Sequence, residues 1–347
     1  KRPCMACGAE NPAEAKFCAF CGKQVALDEA LARFDATPEV EGADPLVGRV
    51  IAERYRILAL VGRGGMGVVY KVAHIHIGKL MAMKLLHGEL AYDRDVVKRF
   101  RREAEAASRL SHSNTVQIFD FGRSQGLMYL VMEYISGRDL GAVIKQEGAL
   151  AFVRVARICA QVCQSVGEAH DQGVIHRDLK PENIMIVDMR GGRDVVKVLD
   201  FGLAKLREQP GSQSITRQGA LVGTPYYMAP EQIRGESMDQ RVDVYALGGV
   251  VYKAITGLPP FWAATPVGIL TKHLTEPLEL PSQRAPNAGI PDGADAIVAR
   301  AMAKEPNERY GSMGEFGDAL LGYLASIGED VGSSWRFGIT SSTGSQK

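Results

Sequence analysis

Four polar residues in one short stretch, Val174 to Gly202, have the types and order of a reaction centre: Asp178, Lys180, Asn183 and Asp200. An amide carbonyl and a carboxylate are hard oxygen ligands suited to Mg²⁺, and Asp178 would stand beside them. Taken singly, each could be an ordinary turn residue of a surface hairpin. All of them in this order make that reading a poor one. Ile184–Val187 and Val195–Leu199 are β-branched runs on either side of Arg190-Gly191-Gly192-Arg193, which reads as a hairpin. A hairpin returns the chain to its start, so Asn183 and Asp200 should lie side by side.

A second constellation precedes it. The strand-like run Tyr55–Leu60 leads into Gly62-Arg63-Gly64-Gly65-Met66-Gly67. Such glycine patterns also occur in dinucleotide folds. Here Val68-Val69-Tyr70-Lys71-Val72 follows, so the loop joins two strands and does not open a helix, and no Gly-Lys-Ser/Thr end marks a P-loop. Without bulky side chains, a hairpin loop can lay its amides over phosphates. Leu80–Leu85 reads as the next strand, and period-two alternation puts Ala82 and Lys84 on one face. Between Asp95 and Leu110, the stripe Val97, Phe100, Ala104, Ala107 and Leu110 predicts a helix. Glu103 lies on its inward face and Glu105 on its outward one, and an inward carboxylate needs a cation.

His176-Arg177-Asp178-Leu179-Lys180-Pro181-Glu182-Asn183, followed by Asp200-Phe201-Gly202, resembles the catalytic and metal-binding loops of bacterial, eukaryotic-type (Hanks-type) Ser/Thr protein kinases. The resemblance covers about Val50 to Ile327. It implies an α+β, bilobal fold: a small, mostly antiparallel β lobe with one key helix (residues 49–134) and a larger helical lobe (residues 135–327). It further implies ATP- and Mg²⁺-dependent (or Mn²⁺-dependent) transfer of the γ-phosphoryl group to Ser/Thr hydroxyls of proteins. By this likeness Asp178 orients the substrate hydroxyl and accepts its proton. Lys180 contacts the γ-phosphate, and Asn183 and Asp200 hold the metal. Lys84, paired with Glu103, holds the α- and β-phosphates. Gly62, Arg63, Gly64, Gly65, Met66 and Gly67 cover the nucleotide. Val69, Ala82 and Met185 contact the nucleotide as well, Val69 by covering the base. Met132 is in the gatekeeper position, the Glu133 carbonyl and Ile135 amide bond adenine, and Asp139 sits near the ribose. Thr224 of Gly223-Thr224-Pro225-Tyr226-Tyr227-Met228-Ala229-Pro230-Glu231 hydrogen-bonds near Asp178 and Lys180.

The resemblance also pairs Glu231, the end of that motif, with Arg309 of Asn307-Glu308-Arg309-Tyr310, and Asp243, an acid opening an apolar helix, should cap backbone amides of the 176–183 loop. Arg177 is a cation awaiting an anion, for which a phosphate on the turn-rich segment before Thr224 is the natural choice. Thr216 is the first candidate and Ser214 the second, through autophosphorylation. Cys159 and Cys163, four apart in the helical pattern Ala151–Gln172, read as apolar packing.

Cys4, Cys7, Cys18 and Cys21 form two CxxC knuckles, each followed by glycine. That spacing fits a tetrahedral structural Zn²⁺ and resembles a small zinc ribbon over residues 1–26. Redox pairs or an iron centre are the alternatives, and neither CxxC has the βαβ context a redox motif needs. Residues 27–48 read as an acidic linker and 328–347 as a Ser/Gly/Thr-rich flexible tail. The 347 residues carry a net charge of +1, which gives no strong pull toward nucleic acid or membrane. No apolar run reaches the roughly 18–20 residues of a spanning helix. Metal-spaced cysteines fit a reducing, cytoplasmic setting, although a chain that begins at Lys1 leaves a leader or anchor outside it open. The expected partners are Ser/Thr-bearing proteins and a protein contact of the ribbon. Two other readings remain: a pseudokinase scaffold that binds nucleotide and partners, and a ribbon that is the functional module with the kinase as its regulator.

Overall fold

The computed structural model describes residues 2–3, 10–12, 44–64, 67–86, 94–189, 193–201 and 225–330. The readings on Cys4, Cys7, Cys18, Cys21, Gly65, Met66, Ser214, Thr216 and Thr224 lie outside the described residues. Backbone contacts divide the chain into two units, Lys1–Arg101 with Ile118–Tyr134, and Arg102–Gln117 with Ile135–Lys347.

In the first unit, β1 (Arg2–Pro3) pairs antiparallel with β2 (Glu10–Asn11). A six-stranded antiparallel sheet follows. Its strands are β3 (Val50–Ile51), β4 (Tyr55–Gly64), β5 (Gly67–His74), β6 (Leu80–Leu86), β7 (Ile118–Ser124) and β8 (Leu127–Glu133), in spatial order β3-β4-β5-β6-β8-β7. β-Branched and aromatic residues make these strands, and one face forms a core of Ile51, Tyr55, Ile57, Tyr70, Val72, Met81, Met83, Leu85, Tyr129 and Val131. Met81, Met83 and Leu85 belong to that core, whereas Ala82 and Lys84 take the alternate positions, as the period-two pattern requires. Residues 44–48 form a turn docked on β4: Gly48 donates to the Ile57 carbonyl at 2.8 Å, and Ile57 to that of Arg49 at 2.8 Å.

The predicted helix is α1 (Arg94–Ala107). Phe100, Ala104, Ala107 and Glu103 are buried on it, and Glu105 is half-buried.

In the second unit, residues 114–116 run beside a three-stranded sheet made of β9 (Arg138–Asp139), β10 (Ile184–Met189) and β11 (Arg193–Val198), in order β11-β10-β9. Val116 donates to the Val198 carbonyl and Val198 to that of Asn114. This explains why 102–117 cluster here. Helices α2 (Leu140–Glu147) and α3 (Phe152–Asp171) precede the hairpin. After it come α4 (Pro230–Arg234), α5 (Arg241–Thr256), α6 (Pro266–Thr275), α7 (Pro281–Arg284), α8 (Asp292–Ala301) and α9 (Met313–Ser326). α3 packs on α9, with the Phe152 and Tyr323 rings 4.8 Å apart. Cys159 and Cys163 are fully buried on α3, in agreement with apolar packing. α5 is apolar nearly all round and accordingly is buried nearly throughout. Gly248 lets it approach α8, because a Cβ there would fall 2.8 Å from Ala301 Cβ. Among the described residues, no helix is long and apolar enough to cross a membrane.

Candidate active site

The loop between α3 and β10 is shaped by what surrounds it. Gly173 takes a left-handed φ of 73°, which ends α3 at low steric cost. The buried His176 ring sits 4.9 Å from the Phe201 ring. Its Nε2 is 2.7 Å from the Leu199 carbonyl, and its Nδ1 accepts from the Asp178 amide at 3.3 Å. A carbonyl only accepts, so the ring is the Nε2–H tautomer, and it ties the loop to the end of β11.

Asp243, in the first turn of α5, is fully buried and serves as the loop's shared acceptor. Its Oδ1 accepts from the Arg177 amide at 2.8 Å and its Oδ2 from the His176 amide at 2.8 Å. His170, in the last turn of α3, adds Nε2 to Oδ2 at 2.7 Å. Burial alone would raise this carboxyl. The His170 hydrogen bond, the two nearby imidazoles and the Arg177 amide outweigh it and hold the group below the usual carboxylate range. The amide-capping role read for Asp243 is what the geometry displays. His170 was not legible as its partner. The available signal was a polar side chain four residues after buried Val166 on an inward helix face.

Two non-glycine residues of this region are left-handed, Arg177 at φ 67° and Asp200 at φ 61°. Such strain costs about 1–3 kcal/mol per residue and persists where surroundings over-determine it, commonly at functional sites. Around Arg177 those surroundings are Asp243 on the amide and Gln232 Nε2 on the carbonyl at 3.2 Å.

Within this frame Lys180 Nζ lies 2.6 Å from Asp178 Oδ2. Asn183 Nδ2 donates to the Asp178 carbonyl at 2.8 Å and approaches its Oδ2 at 3.4 Å. The hairpin pairs Ile184 with Val198, and the Leu199 amide donates to the Asn183 carbonyl at 2.9 Å. The chain therefore returns Asp200 to the neighbourhood of Asn183, as the turn residues predicted. The Asn183 Nδ2 is committed to Asp178, and the Asn183 amide oxygen and the Asp200 carboxylate are hard oxygen donors. This oxygen pair fits Mg²⁺. Among the described residues, no cluster of three or more His, Cys, Asp or Glu suited to a metal occurs.

Met185 is half-buried and faces Lys197 across β11 and Asp139 across β9. Asp139 itself caps α2, accepting from the Ala142 amide at 2.8 Å. In the first unit, Gly64 and Gly67 close the β4–β5 hairpin, with Arg63 opposite Val68 and Gly62 opposite Val69. Val69 in turn faces Lys84 on β6, and Ala82 faces Met132 on β8. Lys84 is buried, and Glu133 ends β8 with Ile135 half-buried beyond it. Farther out in the second unit, Arg309 and Glu231 form a two-armed buried ion pair at 2.6 and 2.8 Å. The guanidinium also reaches the carbonyls of Arg241, Ala303 and Lys304.

A six-stranded antiparallel unit, and a helical unit carrying the Asp178–Lys180–Asn183 loop against a β-hairpin, define the protein kinase class. Residues 55–317 match the protein kinase domain family model; the chain belongs to that family. It is 44% identical over 275 residues to serine/threonine-protein kinase pkn3 of Myxococcus xanthus, covering 79% of this chain and 50% of that protein. It is 40% identical over 325 residues to serine/threonine-protein kinase Pkn1 of the same organism, covering 93% and 45%. The chain thus spans about half the length of these relatives. Among solved structures, the Mycobacterium tuberculosis PknI kinase domain is similar at a TM-score of 0.62 and 28% identity, covering 79% of this chain and 97% of that one.

Proposed function

We propose that this chain transfers the γ-phosphoryl group of ATP to Ser and Thr hydroxyls of proteins. The observation that carries this reading is the Asp178–Lys180–Asn183 arrangement, held by backbone contacts to the buried Asp243. Phosphoryl transfer asks little covalent chemistry of a protein, so positioning and charge carry the rate. Asp178 orients the acceptor hydroxyl and takes up its proton. Lys180, an ammonium beside that carboxylate, faces the transferring group. Asn183 and Asp200 would hold Mg²⁺, which would supply positive charge beside the phosphates. Lys84, with Glu103, acts as the clamp for the α- and β-phosphates. Gly62 to Gly67 cover the nucleotide, Thr224 steadies the acceptor loop, and Val69, Ala82, Glu133, Ile135, Asp139 and Met185 surround adenosine. A scaffold without catalysis is the weaker reading, since Lys84, Glu103, Asp178, Asn183 and Asp200 are all present.

Regulation by a phosphate on Thr216 or Ser214, received by Arg177, belongs to the same reading. So do a Zn²⁺ held by Cys4, Cys7, Cys18 and Cys21, a protein partner for that ribbon, and a cytoplasmic site of action. Incubation with labelled ATP and Mg²⁺, beside Lys84→Ala and Asp178→Asn, tests the activity. Label on the unaltered chain or a basic protein, lost in both variants, is expected. Its absence from the unaltered chain would favour the scaffold.

A further inference from the structure

The residues just before the sheet of the first unit reach into its glycine-rich hairpin. Asp44 Oδ1 accepts from the Leu46 amide at 3.1 Å, a local turn that fixes the carboxylate. Leu46 packs on the apolar core beside Ile51, Tyr55, Ile57 and Tyr70. The turn is bound to β4 through Gly48 and Arg49. From this anchored position the carboxylate grips both strands that flank the loop. Its Oδ2 meets Arg63 Nη2 of β4 at 2.6 Å, and its Oδ1 accepts from the Tyr70 hydroxyl of β5 at 3.0 Å.

An ion pair on a protein surface ordinarily contributes little. This one differs on one side only. The Asp44 side chain is 8% exposed and that of Arg63 is 63% exposed. The carboxylate is therefore the fixed member, and Arg63, which lies between Gly62 and Gly64, is the one positioned. Tyr70 is held as a donor because burial and the Asp44 hydrogen bond push its phenol well above the usual range. The result is a clasp from a turn outside the hairpin, with one contact on each of its two strands, β4 and β5.

We propose that Asp44 is a positioning residue for nucleotide binding: its clasp on Arg63 and Tyr70 sets the place of the glycine-rich hairpin, so the stretch immediately preceding the kinase sheet controls affinity for the nucleotide. This rests on the reading of Gly62–Gly67 as the nucleotide loop. A guanidinium left unclasped would swing freely over the phosphate-binding tip. Chain segments attached before Asp44 would then act on nucleotide affinity through that residue without touching the nucleotide.

The test uses the full chain and four forms: unaltered, Asp44→Asn, Arg63→Met and the double variant. ATP and ADP affinities are measured directly by calorimetry, and KM for ATP and kcat by phosphate transfer. In Asp44→Asn, nucleotide affinity should weaken by about fivefold and KM for ATP should rise in parallel, with kcat within about twofold of the unaltered chain. The double variant should be no weaker than the worse single one, because both changes remove one contact. Asp44→Glu, which keeps the charge, should recover part of the affinity. Unchanged nucleotide affinity in Asp44→Asn, or a fall in kcat and melting temperature with KM unmoved, would overturn the inference. Fully additive losses in the double variant would do so too. A chain that binds ATP but transfers no phosphate would sink the kinase reading alone, since direct binding still decides the role of Asp44.

Discussion

Lys180 Nζ stands 2.6 Å from Asp178 Oδ2, so the cation and the carboxylate of this loop form a direct ion pair. Asp178 keeps about half its side chain open to solvent (46%), as its proposed meeting with an incoming hydroxyl requires. In Asp178→Asn the hydrogen bond from Asn183 to the main-chain carbonyl survives, and so should the fold. Phosphate transfer should fall by about 10²–10⁴-fold while ATP affinity changes little. Single-turnover transfer beside nucleotide calorimetry checks this. A variant that retains most of its transfer rate would remove Asp178 from the proposed role.

Asp243 governs folding more than chemistry. Asp243→Ala strands the amides of His176 and Arg177 and the Nε2 of His170 in a buried place. A loss of about 3–5 kcal/mol is expected, read as a shift in the urea unfolding midpoint. The acid limb carries the same signature. The folded carboxyl ionises below its ordinary range, so its contribution is complete above about pH 4. It disappears as pH falls through the lowered folded value.

His273 of α6 predicts a second pH dependence of stability, nearer neutrality. It is buried against Phe261 at 4.8 Å, with Nδ1 2.8 Å from the Tyr245 hydroxyl. Burial first, and the Lys304 ammonium second, lower its pKa to about 3. Between about pH 6.5 and that value the unfolded chain takes up a proton that the folded chain refuses. The stabilisation is full above pH 6.5 and shrinks on acidification, by up to about 1.4 kcal/mol per pH unit. Unfolding curves at pH 7.5, 6.5 and 5.5 should show this slope, and His273→Gln should flatten it.

Gly67 has no room for a side chain. A Cβ there would fall 2.0 Å from the Leu85 carbonyl oxygen, a backbone atom that cannot step aside. Gly67→Ala should force β5 from β6 and cost about 1–3 kcal/mol. Loss of ATP affinity should exceed the loss of thermal stability, measured by calorimetry and melting, because the shift falls at the mouth of the hairpin.

The six cysteines should separate by reactivity. Cys159 is fully enclosed, and burial pushes its thiol up to about 12. Burial and the neighbouring Cys159 hold the Cys163 thiol well above the ordinary range. Neither should react with a thiol reagent until the protein unfolds. In the zinc reading, Cys4, Cys7, Cys18 and Cys21 become reactive once a chelator is added, with phosphate transfer preserved. Four equally reactive thiols before and after chelation would end that reading.

What the sequence made legible was whatever short spacing encodes. A Gly-Gly turn between β-branched runs put Asn183 and Asp200 together. An acid opening an apolar helix marked Asp243 as a cap. Alternation placed Lys84 opposite the core face of β6. The Glu231–Arg309 pair was also readable, though only through the family motif, since nothing local joins residues so far apart. What stayed hidden depends on where separate elements come to rest. Asp44 looked like one more acid in an acidic linker, because its value comes from Arg63 and Tyr70 on two later strands. His170 sits near the end of the helical pattern Ala151–Gln172, and only the fold brings Asp243 to it.

The grip of Asp243 on the 176–183 loop goes to main-chain amides and ignores the side chains that follow them. Loop shape is therefore inherited separately from loop identity at position 177. A different residue at 177 would still offer its amide to Asp243, and Asp178 would follow from the same main-chain anchor. Glycine there would even release the left-handed strain. If Arg177 receives the proposed phosphate, that switch and the placement of Asp178 are set by separate atoms of one residue's neighbourhood, side chain for the one and main chain for the other.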